Sequence, residues 1–298
     1  MCRVTASMKT VTKFTITMLV PLFLLGLAFA AIYVTTPHGS AVTQKLSNRL
    51  GISGKHMCFY LPNDSTAFEE IDLEQLQAWN KSVRYAINPN NLSVASAAEG
   101  SALRQRFNPS EDGSERVVIN DALEERGTYE LRQRIFFEEG FEWGGDAKSG
   151  KFGFSLGGGS APTGGSTDKD GSTARLAWIG HEDATTSAAL YLYSADRSLN
   201  LPYGDLIEIP NFIIPVGEWF DMTIRLTVNS EHSLADGSIS VHVNDKLLLE
   251  RENIQWQSAG DKPVINRLIF SSFHGGNSTA WSPSKIVYAR FANACLYD

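Results

Sequence analysis

The chain has 298 residues, 43% of them hydrophobic, and a formal net charge of −7. That length and apolar content support one sizeable core, since all-β domains of about 200 to 250 residues commonly form single units. The acidic balance excludes a general nucleic-acid binder, whose phosphate contacts need a basic surface, but it leaves room for an anionic sugar in a locally basic cleft.

Residues 1–34 read as a signal peptide or signal anchor. Arg3, Lys9 and Lys13 precede an apolar run from Phe14 to Val34, and Ala28-Phe29-Ala30 has the small-x-small form of a cleavage site. Pro21 and the alanine-rich end favour cleavage, although the run is also long enough to span a bilayer. The protein is therefore expected outside the cell, secreted or held at the membrane by this segment alone. Residues 35–54 are polar and aperiodic, a linker, and the globular domain is expected over 55–298.

Cys58 and Cys295 are the cysteines left after the targeting segment, and in an oxidising compartment they are expected to bridge; the alternative is two separately buried thiols. Sequons at Asn63, Asn80, Asn91 and Asn277 suit a glycosylated extracellular protein. Between Ser65 and Tyr85 one helix is expected, capped by Ser65, with Ile71, Leu73, Leu76 and Trp79 roughly at helical spacing. Glu70-Ile-Asp-Leu-Glu74 has the carboxylate spacing of laminarinase-type glycosidases, but a helix turns those side chains to different faces.

Strands dominate the remainder. Candidates are Tyr129 to Phe137, Ala174 to Ile179, Ala188 to Tyr193, Leu268 to Phe273 and Ile286 to Ala292. The alternating runs Phe220 to Val228 and Ile239 to Leu249 add a hairpin turning at Asn244-Asp245. Short strands separated by Gly, Asn, Asp and Pro imply an all-β, antiparallel two-sheet sandwich of jelly-roll type with a short N-terminal helical segment. Asp168-Lys-Asp-Gly171 lacks the later ligands of a calcium loop, and the histidines have no metal-ligand spacing, so no metal is expected.

Four segments then carry a resemblance. Gly150-Lys-Phe-Gly-Phe-Ser-Leu-Gly-Gly158, Thr173-Ala-Arg-Leu-Ala-Trp178, Tyr191-Leu-Tyr193 and Phe270-Ser-Ser-Phe-His-Gly-Gly-Asn-Ser-Thr-Ala-Trp281 resemble, in order, motifs of the alginate lyase and glucuronan lyase group of polysaccharide lyases, families 14 and 20. The departures are Phe152-Gly-Phe154 in place of L-P-G, Thr173 in place of Ser, and a longer loop from Ile179 to Ser187. The resemblance implies a β-elimination on a 4-linked polyuronate. A cation must neutralise the carboxylate, a base must remove the C5 proton and an acid must protonate the leaving oxygen, with no cofactor.

Lys151 and Arg175 are the expected carboxylate site, with Lys151 as base if a neighbouring cation lowers its pKa. Tyr191 and Tyr193, two apart on a strand, share one sheet face and are the expected acid and base. Thr173, Arg132, Arg134 and His274 are weaker candidates for substrate contact, the two arginines as an extension of the basic face. The expected partner is an anionic polysaccharide, and the expected protein is a monomer. Two alternatives stand beside this reading: a carbohydrate-binding module without catalysis, and a glycoside hydrolase using Glu70 and Glu74.

Overall fold

The computed structural model describes residues 56–97, 100–198 and 203–298. The expected targeting segment and linker lie outside them, and no helix among the described residues is long and apolar enough to cross a membrane.

In chain order the strands are β1 (His56–Cys58), β2 (Val83–Ile87), β3 (Leu92–Ser96), β4 (Ser101–Phe107), β5 (Pro109–Ser110), β6 (Gly113–Ser114), β7 (Val117–Arg126), β8 (Thr128–Phe137) and β9 (Ser149–Lys151). They continue as β10 (Phe154–Gly158), β11 (Ser172–Gly180), β12 (Thr186–Tyr193), β13 (Asp205–Ile213), β14 (Trp219–Thr227), β15 (Gly237–Val243), β16 (Lys246–Ile254), β17 (Ile265–His274) and β18 (Val287–Tyr297). Two large antiparallel sheets result. The first runs β16-β15-β14-β8-β18-β4-β3, with β1 on β18; the second runs β13-β12-β11-β10-β17-β7-β2, with β9 bridging β11 and β17. This is the expected two-sheet sandwich.

Period-two alternation builds the core. Leu131, Ile135, Phe137, Phe220, Met222 and Ile224 of the first sheet are buried, as are Leu156, Leu176, Trp178, Leu190 and Phe270 of the second. Each such side chain contributes about 1.5–3 kcal/mol on burial. The hairpin turns at Asn244-Asp245, both left-handed, with φ of 47° and 64°.

The helix, α1 (Leu73–Trp79), is shorter than the expected segment, and Asp72 caps it in place of Ser65 by accepting from the Gln75 amide at 2.8 Å. The neighbouring Thr66 pairs with Val94 as an extended bridge, which keeps this segment out of the helix. Glu70, Asp72 and Glu74 therefore share no strand face. Cys58 lies opposite Cys295 in the β1–β18 register and is disulfide-bonded to it. Among the sequons, Asn63 and Asn277 are exposed. Asn91 is a correction: it is 1% exposed and bonded to Glu115, Arg106 and Asn108, so a folded chain cannot carry a glycan there. Asn80 uses both amide atoms on the Tyr60 backbone.

One buried polar clamp crosses the core. Gln133 of the first sheet accepts from the Phe154 amide at 2.8 Å and donates to the Phe154 carbonyl at 2.7 Å, just where Gly153, at φ 72°, breaks the line between β9 and β10. A Cβ at Gly153 would sit 2.7 Å from the Gln133 oxygen. Gln133→Leu leaves both backbone groups buried and unpaired and is expected to cost about 2–4 kcal/mol of stability, read by denaturant unfolding. An unchanged midpoint would show that water replaces the clamp.

Candidate active site

On β11 and β12, Ala174, Leu176, Trp178, Leu190 and Leu192 are buried core residues. Their alternates Thr173, Arg175, Tyr191 and Tyr193 therefore stand on the outer face of the second sheet. The register sets Arg175 opposite Tyr191 and Thr173 opposite Tyr193. Lys151 joins them from β9, paired with Ala177 on one side and Phe273 on the other. Its ammonium lies 4.2 Å from the Tyr191 ring centroid and 5.1 Å from that of Phe273.

The glycine before Lys151 is dictated by packing. A Cβ at Gly150 would stand 2.0 Å from the Trp178 indole, so only glycine lets β9 lie against β11 and turn Lys151 outward.

Burial, then Arg175 and Arg116, push Lys151 down to about 7. Burial also lowers Arg175, with Tyr85, Tyr193 and Tyr191 acting against it. Burial and its hydrogen bond with Tyr193 push the Tyr191 phenol up, so it keeps its proton. The two phenolic oxygens are 3.4 Å apart. Arg175 is 8% exposed and its Nε is buried without a partner. Among the described residues no carboxylate lies within ion-pair distance of Lys151, Arg175, Arg116 or Arg267. Nor do three His, Cys, Asp or Glu side chains there converge as metal donors.

A strap, residues 161–166, lies over one end of this cluster. The Thr163 hydroxyl accepts from Arg175 Nη1 at 2.6 Å, the Pro162 carbonyl accepts from the Thr173 hydroxyl at 3.0 Å, and the Gly165 amide donates to the Tyr193 oxygen at 2.8 Å. Arg197 stacks on the Tyr193 ring at 4.7 Å and donates to the Ser166 carbonyl. Gly164 and Gly165, at φ 63° and 85°, supply the left-handed turn. Tyr193 is consequently fully buried, whereas Tyr191 is partly exposed.

Three expected contacts are corrected. His274 points into the core, 1% exposed, bonded to the Glu142 carbonyl at 2.6 Å and packed on Phe107, Phe141 and Trp178. Burial pushes its pKa down to about 4, so it is neutral. Arg132 and Arg134 alternate outward on β8, in the other sheet, and pair with Glu130 at 2.6 Å and Asp221 at 3.2 Å. They cannot extend a basic face on the second sheet.

A family model for polysaccharide lyase 14 matches residues 98–294. The chain belongs to the polysaccharide lyase 14 family. Among curated proteins none matches the sequence. Similar solved structures include a double mutant of alginate lyase Aly36B in complex with an alginate trisaccharide, 21% identical, with a TM-score of 0.67 over 82% of this chain and 97% of that one. The family 14 alginate lyase of Aplysia kurodai is 16% identical, with a TM-score of 0.61 over 80% and 99% of the two chains. Alginate lyase vAL-1 from Chlorella virus is 18% identical, with a TM-score of 0.61 over 79% and 98%. At these identities the likeness shows the shared β-sandwich.

Sequence reasoning about this polysaccharide lyase missed Phe273, Thr163 and Arg116. Parity along β17 was the available signal for Phe273: Leu268 and Phe270 face inward, so Phe273 faces out and His274 in. Thr163 gave no signal, because a loop residue's partner depends on the path of the strap. A separate hollow of about 400 Å³, bordered by Phe141, Trp143, Gly180 and His181, holds none of the cluster residues. Thr163→Val removes the acceptor from a buried guanidinium and is expected to lower stability by about 1–3 kcal/mol, measured by urea unfolding. A midpoint equal to that of the parent would mean that Arg175 Nη1 finds another acceptor.

Proposed function

We propose that this polysaccharide lyase cleaves a 4-linked polyuronate by β-elimination at the cluster of Lys151, Arg175, Tyr191 and Tyr193. The observation that carries the reading is a half-buried amine and a buried guanidinium beside two phenols on one sheet face, with no carboxylate paired to either cation among the described residues. Desolvated cations kept free of internal counter-ions suit an external carboxylate.

The roles follow from charge state. Arg175, with its unpartnered Nε, holds the uronate carboxylate and stabilises the charge that develops as C5 loses its proton. Burial, Arg175 and Arg116 bring Lys151 down to about 7, so the neutral amine is available near neutral pH and its lone pair takes the C5 proton. The C5–H electrons form the C4–C5 double bond, the bond from C4 to the glycosidic oxygen breaks, and the Tyr191 phenol protonates that oxygen. One fragment ends in an unsaturated uronate and the other in a hydroxyl. The proton taken up by Lys151 then returns to the Tyr191 phenolate by way of solvent, which restores both groups, while Tyr193, behind the strap, hydrogen-bonds the Tyr191 oxygen.

The alginate oligosaccharide bound by the similar lyase favours alginate over glucuronan as the polymer. The Cys58–Cys295 bridge fits action outside the cell. No feature of the cluster calls for a cofactor.

Ultraviolet absorbance separates elimination from hydrolysis, because only the former makes a conjugated double bond. The parent protein is expected to raise it on alginate, and Lys151→Ala to lower the rate about 10²–10⁴-fold while still binding polymer. The absence of any rise on mannuronate-rich, guluronate-rich or glucuronate polymers would reject the reading. A free-enzyme base near 7 must lose its proton to work, so kcat/KM is expected to climb with pH through about 7 and then level. A kcat/KM that falls over that interval would assign Lys151 to charge neutralisation instead.

A further inference from the structure

We propose that Arg116 anchors a second carboxylate of the bound polymer, in the subsite that adjoins Lys151 across the ring of Phe273. This inference rests on the polyuronate reading above and names where the chain continues beyond the cleaved bond.

Register puts Arg116 there. In the β17–β7 ladder Ser272 faces Val117 and Ser271 faces Val118, so the next position brings Arg116 beside Phe273. Val117 and Ser272 are fully buried inward, which turns Arg116 and Phe273 outward by the pleat. Phe273 is itself the partner of Lys151. The Arg116 guanidinium stands 5.4 Å from the Phe273 ring centroid, and the Lys151 ammonium 5.1 Å from the same centroid. One aromatic ring thus carries a cation on each flank. Lys151 and Arg116 are two strand spacings apart, about 10 Å, too far for one carboxylate to bridge, so a carboxylate at Arg116 belongs to a different sugar from the one being cleaved.

Charge bookkeeping sets Arg116 apart from the arginines of the other sheet. On that outer face Arg104 and Arg290 share Glu138, Arg106 meets Glu69, Arg132 and Arg225 meet Glu130, and Arg134 meets Asp221. Arg116 is exposed and, among the described residues, its side chain has neither a hydrogen bond nor an ion pair. Its neighbour Glu115 is held by Asn91 and Asn108. Beyond it on the same face, Ile87 and Tyr85 of the edge strand β2 are 46% and 47% exposed, an apolar floor for a sugar ring. A guanidinium that stacks on Phe273 and has no ion pair among the described residues, adjoining the proposed cluster, matches an acidic sugar and not a neutral one.

The test uses the catalytically silent Lys151→Ala protein and calorimetric titration with alginate oligosaccharides and their carboxyl-reduced counterparts. Adding Arg116→Gln is expected to weaken the acidic oligosaccharide about tenfold or more and to leave the reduced one unchanged. Arg116→Lys is expected to recover part of the loss at low salt. Among the described residues the Arg116 side chain makes no hydrogen bond or ion pair, and the carbonyl that Asn88 bonds is retained in the variants, so the substitutions keep the structure. Equal affinity for the acidic oligosaccharide with and without Arg116 overturns the subsite. Equal loss for acidic and reduced oligosaccharides also overturns it. Failure of Lys151→Ala itself to bind any acidic oligosaccharide rejects the polyuronate reading, and this inference with it.

Discussion

The indole of Trp178 occupies the space that a side chain at residue 150 would need, and the site depends on that contact. It holds the short strand β9 flat on β11, which fixes the direction in which Lys151 leaves the sheet. Three residues later the line of the strand breaks at Gly153, where Gln133 reaches across the core to hold the Phe154 backbone. A lysine on a free loop would hydrate and stay an ordinary ammonium. Pinned between two aromatic rings and beside Arg175, it loses water and gains a like charge, and both effects favour the neutral amine.

The two outer faces of the sandwich handle charge in opposite ways. On the first sheet arginines and carboxylates interleave into a ladder, with Glu138 bonded by Arg104 and Arg290, and burial of that carboxylate is outweighed by the two guanidinium partners. On the second sheet Lys151, Arg175 and Arg116 stand with two phenols and, among the described residues, pair with no carboxylate, while Glu208 of the edge strand meets His181. The net negative charge of the chain therefore says little about the local field that an acidic polymer meets.

The sandwich was legible because alternation along Phe220 to Val228 and Ile239 to Val243 survives in the pleat, and turn residues such as Asn244-Asp245 marked the reversals. The cluster was legible because its members lie in short motifs and the Tyr191/Tyr193 spacing has one meaning on a strand. Strands β2, β3, β4, β7 and β13 were not, since mixed sequences such as Ser101–Phe107 resolve only when a neighbour's register is known. His274 misled for the same reason: a histidine beside glycines reads as polar, but its parity with Phe270 places it inside. Arg132 and Arg134 alternated as expected, and only topology revealed that they belong to the opposite sheet. Asn91 shows that a sequon says nothing about depth.

If the cluster binds the polymer as proposed, the strap gives the resting protein an internal stand-in for that ligand. The Thr163 hydroxyl and the Gly165 amide hold Arg175 and Tyr193 much as sugar hydroxyls and carboxylate oxygens would. A polymer that reaches Arg175 Nη1 competes with this intramolecular occupant, whose effective concentration is high because it is tethered on both sides. Short fragments would have little surface with which to win that competition, and long chains more. Discrimination by length can thus originate in the six residues 161–166, with no change on the sheet that carries the proposed site.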